Sequence, residues 1–307
     1  MSTEQPLVSI GLAVYNGEQY LEEALNSLLG QTFTDFEIII SDNASTDHTA
    51  EICLRYAEQD ARIRYHRNAT NIGGANNENQ TFRMSRGKYF RWAADDDICA
   101  PTLIEECVKV LEENPDIVLC FPKTIKIDGE GDEMGRAIVE EPNAEKSFSR
   151  FRAMAIAKDS CEQTYGLIRS DVLQKTRLQQ NYTNSDRTLL AELAIHGKFH
   201  EIPQYLFYKR FHEKNVYLDW RTRMAWFDPS IKGKIVFPWW MQFFDYFKTI
   251  KRSPISRYEQ MRCYLFMFEW ALRFGKNLTK DLLVAFYMLA HSKEWRKQLY
   301  EVTINWS

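Results

Sequence analysis

Long apolar runs are missing from this sequence. The longest, Leu282 to Ala290, falls well short of the ~20 residues that a membrane-spanning helix needs. No charged start followed by an apolar stretch marks residues Met1 to Ser9, so the reading is a cytoplasmic protein without a secretory signal. Cysteine is sparse: the six residues at 53, 99, 107, 120, 161 and 263 form no CxxC pair and no His/Cys cluster. That excludes a zinc ribbon and a disulfide scaffold, and leaves the thiols as small buried apolar groups. Thirteen Gly and nine Pro among 307 residues exclude collagen-like and low-complexity architecture.

What is present belongs to a folded α/β chain, with 45% hydrophobic and 26% charged residues. The net charge of −3 hides an asymmetry. From Phe207 onward there are 18 Lys+Arg against 9 Asp+Glu, and the preceding residues hold the remaining 21 against 33. Seven of the eight Trp also follow Phe207. The expected division is therefore a catalytic body over residues 1–225 and a basic, aromatic, helical region over 226–307.

Hydrophobic periodicity places the elements. Pro6 to Val14 reads as a buried strand ending at Asn16-Gly17, and a helix from Tyr20 stops at Gly30. Phe36 to Ser41 is a second strand, ending at Asp42-Asn43, and the next helix is expected to be capped by Asp47. Ile63 to His66, Lys88 to Ala93 and Ile117 to Phe121 complete five strands. Pro101 suits the first position of a helix striped by Ile104, Cys107, Val108 and Leu111. Such alternation predicts a mostly parallel sheet flanked by helices. Ligands of such sheets bind beyond the carboxyl ends of the strands, where Asn16-Gly17, Asp42-Asn43 and Asp95-Asp96-Asp97 would all meet. Later, Asp128 to Gly135 reads as a hairpin or mobile loop, and Tyr205 to Lys209 as a strand. Met261, Tyr264, Leu265, Phe268 and Leu272 make one helix face.

Three adjacent carboxylates repel one another unless a cation or solvent compensates. Hard oxygen ligands at a strand end suit Mn²⁺ or Mg²⁺, which would grip a diphosphate; the plainer reading is a solvated turn with Asp97 as a cap. Asp42 either accepts hydrogen bonds from a nucleoside or holds its own turn. Asn71-Ile72-Gly73-Gly74 is a weak phosphate-loop signal on its own, and Arg210 and His212 after a strand would be ordinary surface residues.

Four segments together are specific. Val8 to Phe33 (VSIGLAVYNGEQYLEEALNSLLGQTF), Phe36 to Asp47 (FEIIISDNASTD), Asn71-Ile72-Gly73 and Gly87 to Pro101 (GKYFRWAADDDICAP) resemble family 2 glycosyltransferases of the GT-A fold. The resemblance implies inverting transfer of a sugar from a nucleotide-activated donor, usually UDP-linked, with Mn²⁺ or Mg²⁺. It implies donor contacts at Ala13, Tyr15, Asn16, Glu18, Asp42, Asn71 and Gly73. The DxD motif falls either on Asp95 (ribose) and Asp96 (metal) or on Asp96 and Asp97. Tyr165, Gly166 and Arg169 match the acceptor-side segment, Asp186 the catalytic base, and His212 a closing R-x-H motif that reaches the metal or diphosphate. Ala13 replaces a frequent Pro, Ser185 a common Glu, and Glu78 a frequent Arg. The implied acceptor is a glycan, a lipid-linked sugar or a protein, not a nucleic acid. Two rivals are a sugar nucleotidyltransferase, which would want a Lys/Arg-bearing loop where AVYNGEQY stands, and a non-catalytic nucleotide-sugar-binding module. The basic C-terminal region is either the core of a helical bundle or a contact surface for an anionic membrane, a lipid-linked acceptor or a second copy.

Overall fold

The computed structural model describes residues 5–212, 220–231 and 234–290, with the side chains of 220–223 left aside. Four strands, β1 (Val8–Val14), β2 (Phe36–Asp42), β3 (Ile63–Arg67) and β4 (Tyr89–Ala93), run parallel in the order β3-β2-β1-β4. The sheet continues through β8 (Leu167–Arg169), β6 (Ile117–Ile127), β9 (Lys198–Arg210) and β5 (Ile98–Cys99). In this second half β6 and β9 are parallel, while β8 and β5 pair antiparallel to their neighbours. The Asp128 to Gly135 stretch is a hairpin in which β7 (Glu133–Arg136) returns along β6. The sheet is thus mixed rather than wholly parallel.

Helices α1 (Leu21–Leu29), α2 (Thr49–Gln59) and α4 (Leu103–Glu113) cover one face. They bury Leu21, Leu25, Ile52, Cys53, Ile104 and Cys107 against Val8, Ile10, Leu12, Ile38 and Ile40. Residue alternation sends Ser9 and Gly11 of β1 to the opposite face. There α3 (Gly74–Met84) lies so close that a Cβ on Gly11 would meet Thr81 Oγ1 at 2.2 Å. This helix escapes sequence periodicity because its inward positions are polar: Asn77, Asn79 and Thr81 are buried. They are satisfied instead by hydrogen bonds, including Asn77 Nδ2 to the Ser41 carbonyl at 2.7 Å and Asn79 Nδ2 to the Gln179 carbonyl at 2.7 Å. Pro101 is not the first residue of α4; it precedes the N-cap, Thr102.

The rest of that face is covered by α5 (Ser147–Ile156), α7 (Ser185–His196), α9 (Pro238–Arg252) and α10 (Arg257–Arg273). Between α5 and α7 lie a 3₁₀ turn (Glu162–Tyr165) and the short α6 (Ser170–Leu173); α8 (Trp220–Phe227) precedes α9, and α11 (Gly275–Ala290) ends the described chain. Tyr246, Ile250, Cys263 and Trp270 share one hydrophobic cluster with Phe151, Leu189 and Leu193. Residue 225 lies within α8, and α9 and α10 contribute side chains to this cluster. The face formed by Met261, Leu265, Phe268 and Leu272 is not a core face: these residues are exposed, and Cys263, Phe266, Met267 and Trp270 point inward instead.

Candidate active site

The carboxyl ends of β1, β2 and β4 meet on one rim, as the sequence pattern predicts. The turn after β1 is stitched to the turn after β2. Asn16 N–H donates to Ser45 Oγ at 3.0 Å, Asn16 Oδ1 accepts from the Thr46 N–H at 2.8 Å, and Gly17 N–H donates to Thr49 Oγ1 at 2.9 Å. Glu18 Oε2 accepts from the His48 N–H at 2.9 Å, feeding the start of α2. Asp47 contributes there too, its Oδ1 accepting from the Thr49 N–H at 3.0 Å. Asn16 adopts φ 53°, a left-handed turn geometry that Asn tolerates. Gly17 lies against the acidic triplet, since a Cβ there would sit 1.9 Å from Asp95 Oδ2. Tyr15 stands on the rim, 41% exposed, and Ala13 is half-buried behind it.

Asp42 is fully buried. Its Oδ1 accepts from the Ser45 N–H at 2.8 Å and its Oδ2 from the Tyr65 hydroxyl at 2.9 Å. These bonds hold the turn after β2. Asn43, paired with Asp42 in the sequence pattern, organises the next loop. Its Oδ1 accepts from the Ile72 N–H at 2.8 Å and its Nδ2 donates to Asn71 Oδ1 at 3.0 Å. Asn71 Oδ1 in turn accepts from Gly73 N–H, where φ is +86°. Gly73 and Gly74 allow α8 to close on this loop: a Cβ at Gly73 would meet the Phe227 carbonyl oxygen, and one at Gly74 the Trp226 ring, both at 2.4 Å.

The three aspartates separate into different environments. Asp96 lies 3.0 Å from His212 Nε2, with side-chain exposures of 15% and 13%. Asp97, expected among the metal ligands, is buried, and its Oδ1 accepts from the Arg210 N–H at 2.9 Å. Burial and then the neighbouring Asp96 charge push its carboxyl well above the usual range. Arg210 binds protein groups on every side: its guanidinium donates to the Asp96 carbonyl, to the carbonyls of Asp128 and Gly129, and to Glu23 Oε2 at 2.6 Å. It clamps the acidic turn between β9 and the β6–β7 hairpin, leaving His212 of the R-x-H motif beside Asp96.

Asp186 is the second residue of α7 and is half-buried. It is not the helix cap, a position taken by Asn184; its Oδ1 accepts from the adjacent Arg187 N–H at 2.7 Å. Burial raises its pKa, opposed by the Arg187 hydrogen bond and by the positive charges of Arg187 and Lys209. Arg187 is anchored by a buried ion pair with Asp159 at 2.5 Å. Tyr165 ends the 3₁₀ turn and packs on Phe207, with ring centroids 5.4 Å apart. Burial raises its phenol first, and the charges of Asp97, Glu78, Asp96 and Asp186 all add to the shift. Glu78 is pushed up to about 8 by burial and by Asp186. Lys209 lies 5.5 Å from the Tyr165 ring centroid and 3.6 Å from Glu162 Oε1, and its charge reaches both Asp97 and Asp186. Lys209 as a site residue is not legible in the sequence, because it belongs to no spaced motif, and Glu78 stands out only as the replacement of a frequent Arg.

Arg169 is not brought to this site. It ends β8 opposite Tyr89, the first residue of β4, and its guanidinium donates to the carbonyls of Leu111, Asn114 and Ile117. Gly166 opens β8 against β6, where a Cβ would meet the Cys120 carbonyl oxygen at 2.6 Å. Among the described residues no three His, Cys, Asp or Glu side chains converge as a preformed metal cage. Asp96 with His212 is nonetheless a fitting partial set, since such ions keep one or two protein ligands and complete their shell with substrate phosphates and water.

The family profile described as "Glycosyl transferase family 2" matches residues 9–177, more than half of the chain and all of the rim built by β1, β2 and β4. The chain belongs to glycosyltransferase family 2. This glycosyltransferase is 30% identical over 220 residues to an uncharacterized glycosyltransferase of Methanocaldococcus jannaschii, covering 70% of this chain and 74% of the relative. Its fold is similar to that of S. aureus TarS 1-349 in complex with UDP, with TM-score 0.62, 14% identity, and coverage of 88% of this chain and 72% of that one. It is also similar to a mannosyltransferase of Pyrobaculum calidifontis in complex with GDP-Man and Mn²⁺, with TM-score 0.52, 16% identity, and coverage of 97% and 84%. These likenesses identify the GT-A architecture. No described helix is long and apolar enough to cross a membrane.

Proposed function

We propose that this glycosyltransferase transfers a sugar, with inversion and with a divalent cation, from a nucleoside-diphosphate donor to an acceptor hydroxyl. The acceptor class is a glycan, a lipid-linked sugar or a protein. The observation that carries the reading is the Asp96–His212 pair, 3.0 Å apart beyond the end of β4 and brought together from segments far apart in the chain. UDP is the favoured nucleotide, in keeping with the UDP in the TarS complex.

In this reading Ala13, Tyr15, Asn16 and Glu18 form the wall for base and ribose, with the Asn71–Gly73 loop opposite. Asp42 supports that wall by holding the turn after β2. Asp95 faces the ribose, and Asp96 with His212 would hold Mn²⁺ or Mg²⁺; the burial of Asp97 favours this assignment over the Asp96–Asp97 alternative. The cation, when bound, neutralises charge growing on the departing diphosphate. Asp186 accepts the acceptor's hydroxyl proton while that oxygen forms the new bond to the anomeric carbon, and the carbon–diphosphate bond breaks on the opposite face. Lys209 and Arg187 favour the ionised form that Asp186 needs, and Tyr165 and Gly166 line the acceptor side.

Asp96→Ala tests the donor half. Nucleotide release is measured with a panel of nucleotide sugars, with Mn²⁺ and with chelator. The variant should lose metal-dependent transfer and hydrolysis and keep its fold, because Asp96 lies in the turn after β4, where its carboxylate meets His212 rather than the hydrophobic core. Near-normal activity of the variant under chelation defeats the metal assignment. Release of pyrophosphate from a sugar phosphate and a nucleoside triphosphate would mean a nucleotidyltransferase, and binding without turnover a regulatory module.

A further inference from the structure

Helix α10 is apolar on two opposite sides. Its inner side, Cys263, Phe266, Met267 and Trp270, fills the core. Its outer side carries Tyr258, Met261, Leu265, Phe268 and Leu272, exposed by 71, 59, 60, 72 and 85%. Their spacing of three and four residues lines them up as one stripe along the helix. On α11, Leu282, Leu283 and Phe286 are likewise exposed, while Leu278, Asp281 and Ala285 are buried. Isolated apolar residues are normal on a surface, but a continuous stripe with aromatic members marks a contact face.

Charge selects what the face meets. Lys251, Arg252, Arg257, Arg273, Lys276 and Lys280 are exposed on α9, α10 and α11. Among the described residues of these helices Glu269 is exposed and bound to Arg152 at 2.6 Å, and Glu259 is half-buried, its Oε1 accepting from the Phe148 N–H at 3.4 Å. Asp245 and Asp281 are buried, and Asp281 Oδ2 accepts from the Trp239 N–H at 2.8 Å, at the start of α9. Two copies brought together on this face would oppose like charges. An anionic lipid surface satisfies both features, taking the apolar stripe into its interface and the flanking cations onto its headgroups.

We propose that the outer face of α10, with α11 beside it, binds the surface of an anionic lipid bilayer and so holds the glycosyltransferase at a membrane without spanning it. The inference stands on this face alone and is independent of donor, metal and base. The test is flotation of the full chain with vesicles of phosphatidylcholine alone or with phosphatidylglycerol, at low and high salt. Binding should require the anionic lipid and weaken with salt. Arg273→Glu and Lys276→Glu should each reduce it about fivefold or more. The pair Leu265→Ser and Phe268→Ser should reduce it by at least about tenfold, with an unchanged melting temperature because both side chains are already exposed. Absence of binding by folded protein to anionic vesicles overturns the proposal. So does a dimer in sedimentation that Leu265→Ser with Phe268→Ser dissolves, which would make the face a self-association surface.

Discussion

Asp186→Asn separates catalysis from stability more sharply than any other single change. The side chain keeps its size, so packing at the start of α7 is preserved. Asn184, not Asp186, occupies the N-cap, so no helix cap is lost. The Asn amide oxygen can still accept from the Arg187 N–H, now at 2.7 Å. Burial raises the Asp186 carboxyl, and a carboxyl raised on folding costs stability at neutral pH rather than adding to it. Removing the charge therefore leaves the melting temperature unchanged or slightly higher. Loss of the base should lower kcat by about 10²–10⁴, a barrier increase of about 3–5 kcal/mol at 1.36 kcal/mol per tenfold. The assay is nucleotide release at saturating acceptor over a pH series, with donor KM and thermal melts on the same preparation. The wild-type acid limb should lie above the ordinary Asp range, since the raised carboxyl must ionise before it can take a proton, and the variant should lack that limb. Donor KM should hardly move. Near-normal turnover, or an acid limb surviving in the variant, would refute the assignment; Glu162, buried beside Lys209, would then be the next base to test.

Gly17→Ala places a Cβ 1.9 Å from Asp95 Oδ2 and must displace that carboxylate; kcat/KM for donor should fall by about 10–100-fold with a small change in melting temperature, and unchanged kinetics would separate Asp95 from the donor. Glu37 is a structural prediction. It is buried, and although burial raises its pKa, hydrogen bonds from Arg86, Ser9 and Arg64 bring it below its ordinary value. Its contribution is therefore complete above the unfolded carboxyl pKa and is lost as pH falls through the depressed folded one. Glu37→Ala should cost about 2–4 kcal/mol at neutral pH, toward the lower end because both arginines are partly exposed. It should also flatten the acid limb of stability in denaturant melts, and an unchanged limb would assign acid unfolding to other carboxylates.

Much of the rim was legible in the sequence because strand burial and turn chemistry are local. The alternating Val8, Ile10, Leu12 and Val14 require a strand with a buried face, and Asn16-Gly17, Asp42-Asn43 and Asp95–Asp97 end strands whose parallel order brings those ends together. Helix α3 was not legible, since its buried side is built of Asn and Thr satisfied by distant partners rather than by apolar spacing. Tertiary structure alone decided the division of labour within the acidic triplet: Asp97 is sealed by the Arg210 N–H arriving on β9, while Asp96 is left beside His212. It likewise removed Arg169 from the site, because its guanidinium satisfies carbonyls that end α4 and begin β6. It also turned Met261, Leu265, Phe268 and Leu272 outward, a choice periodicity cannot make for a helix apolar on two sides. Spacing along a chain states which residues share a face, but only the packing of other segments determines whether that face meets core, ligand or solvent.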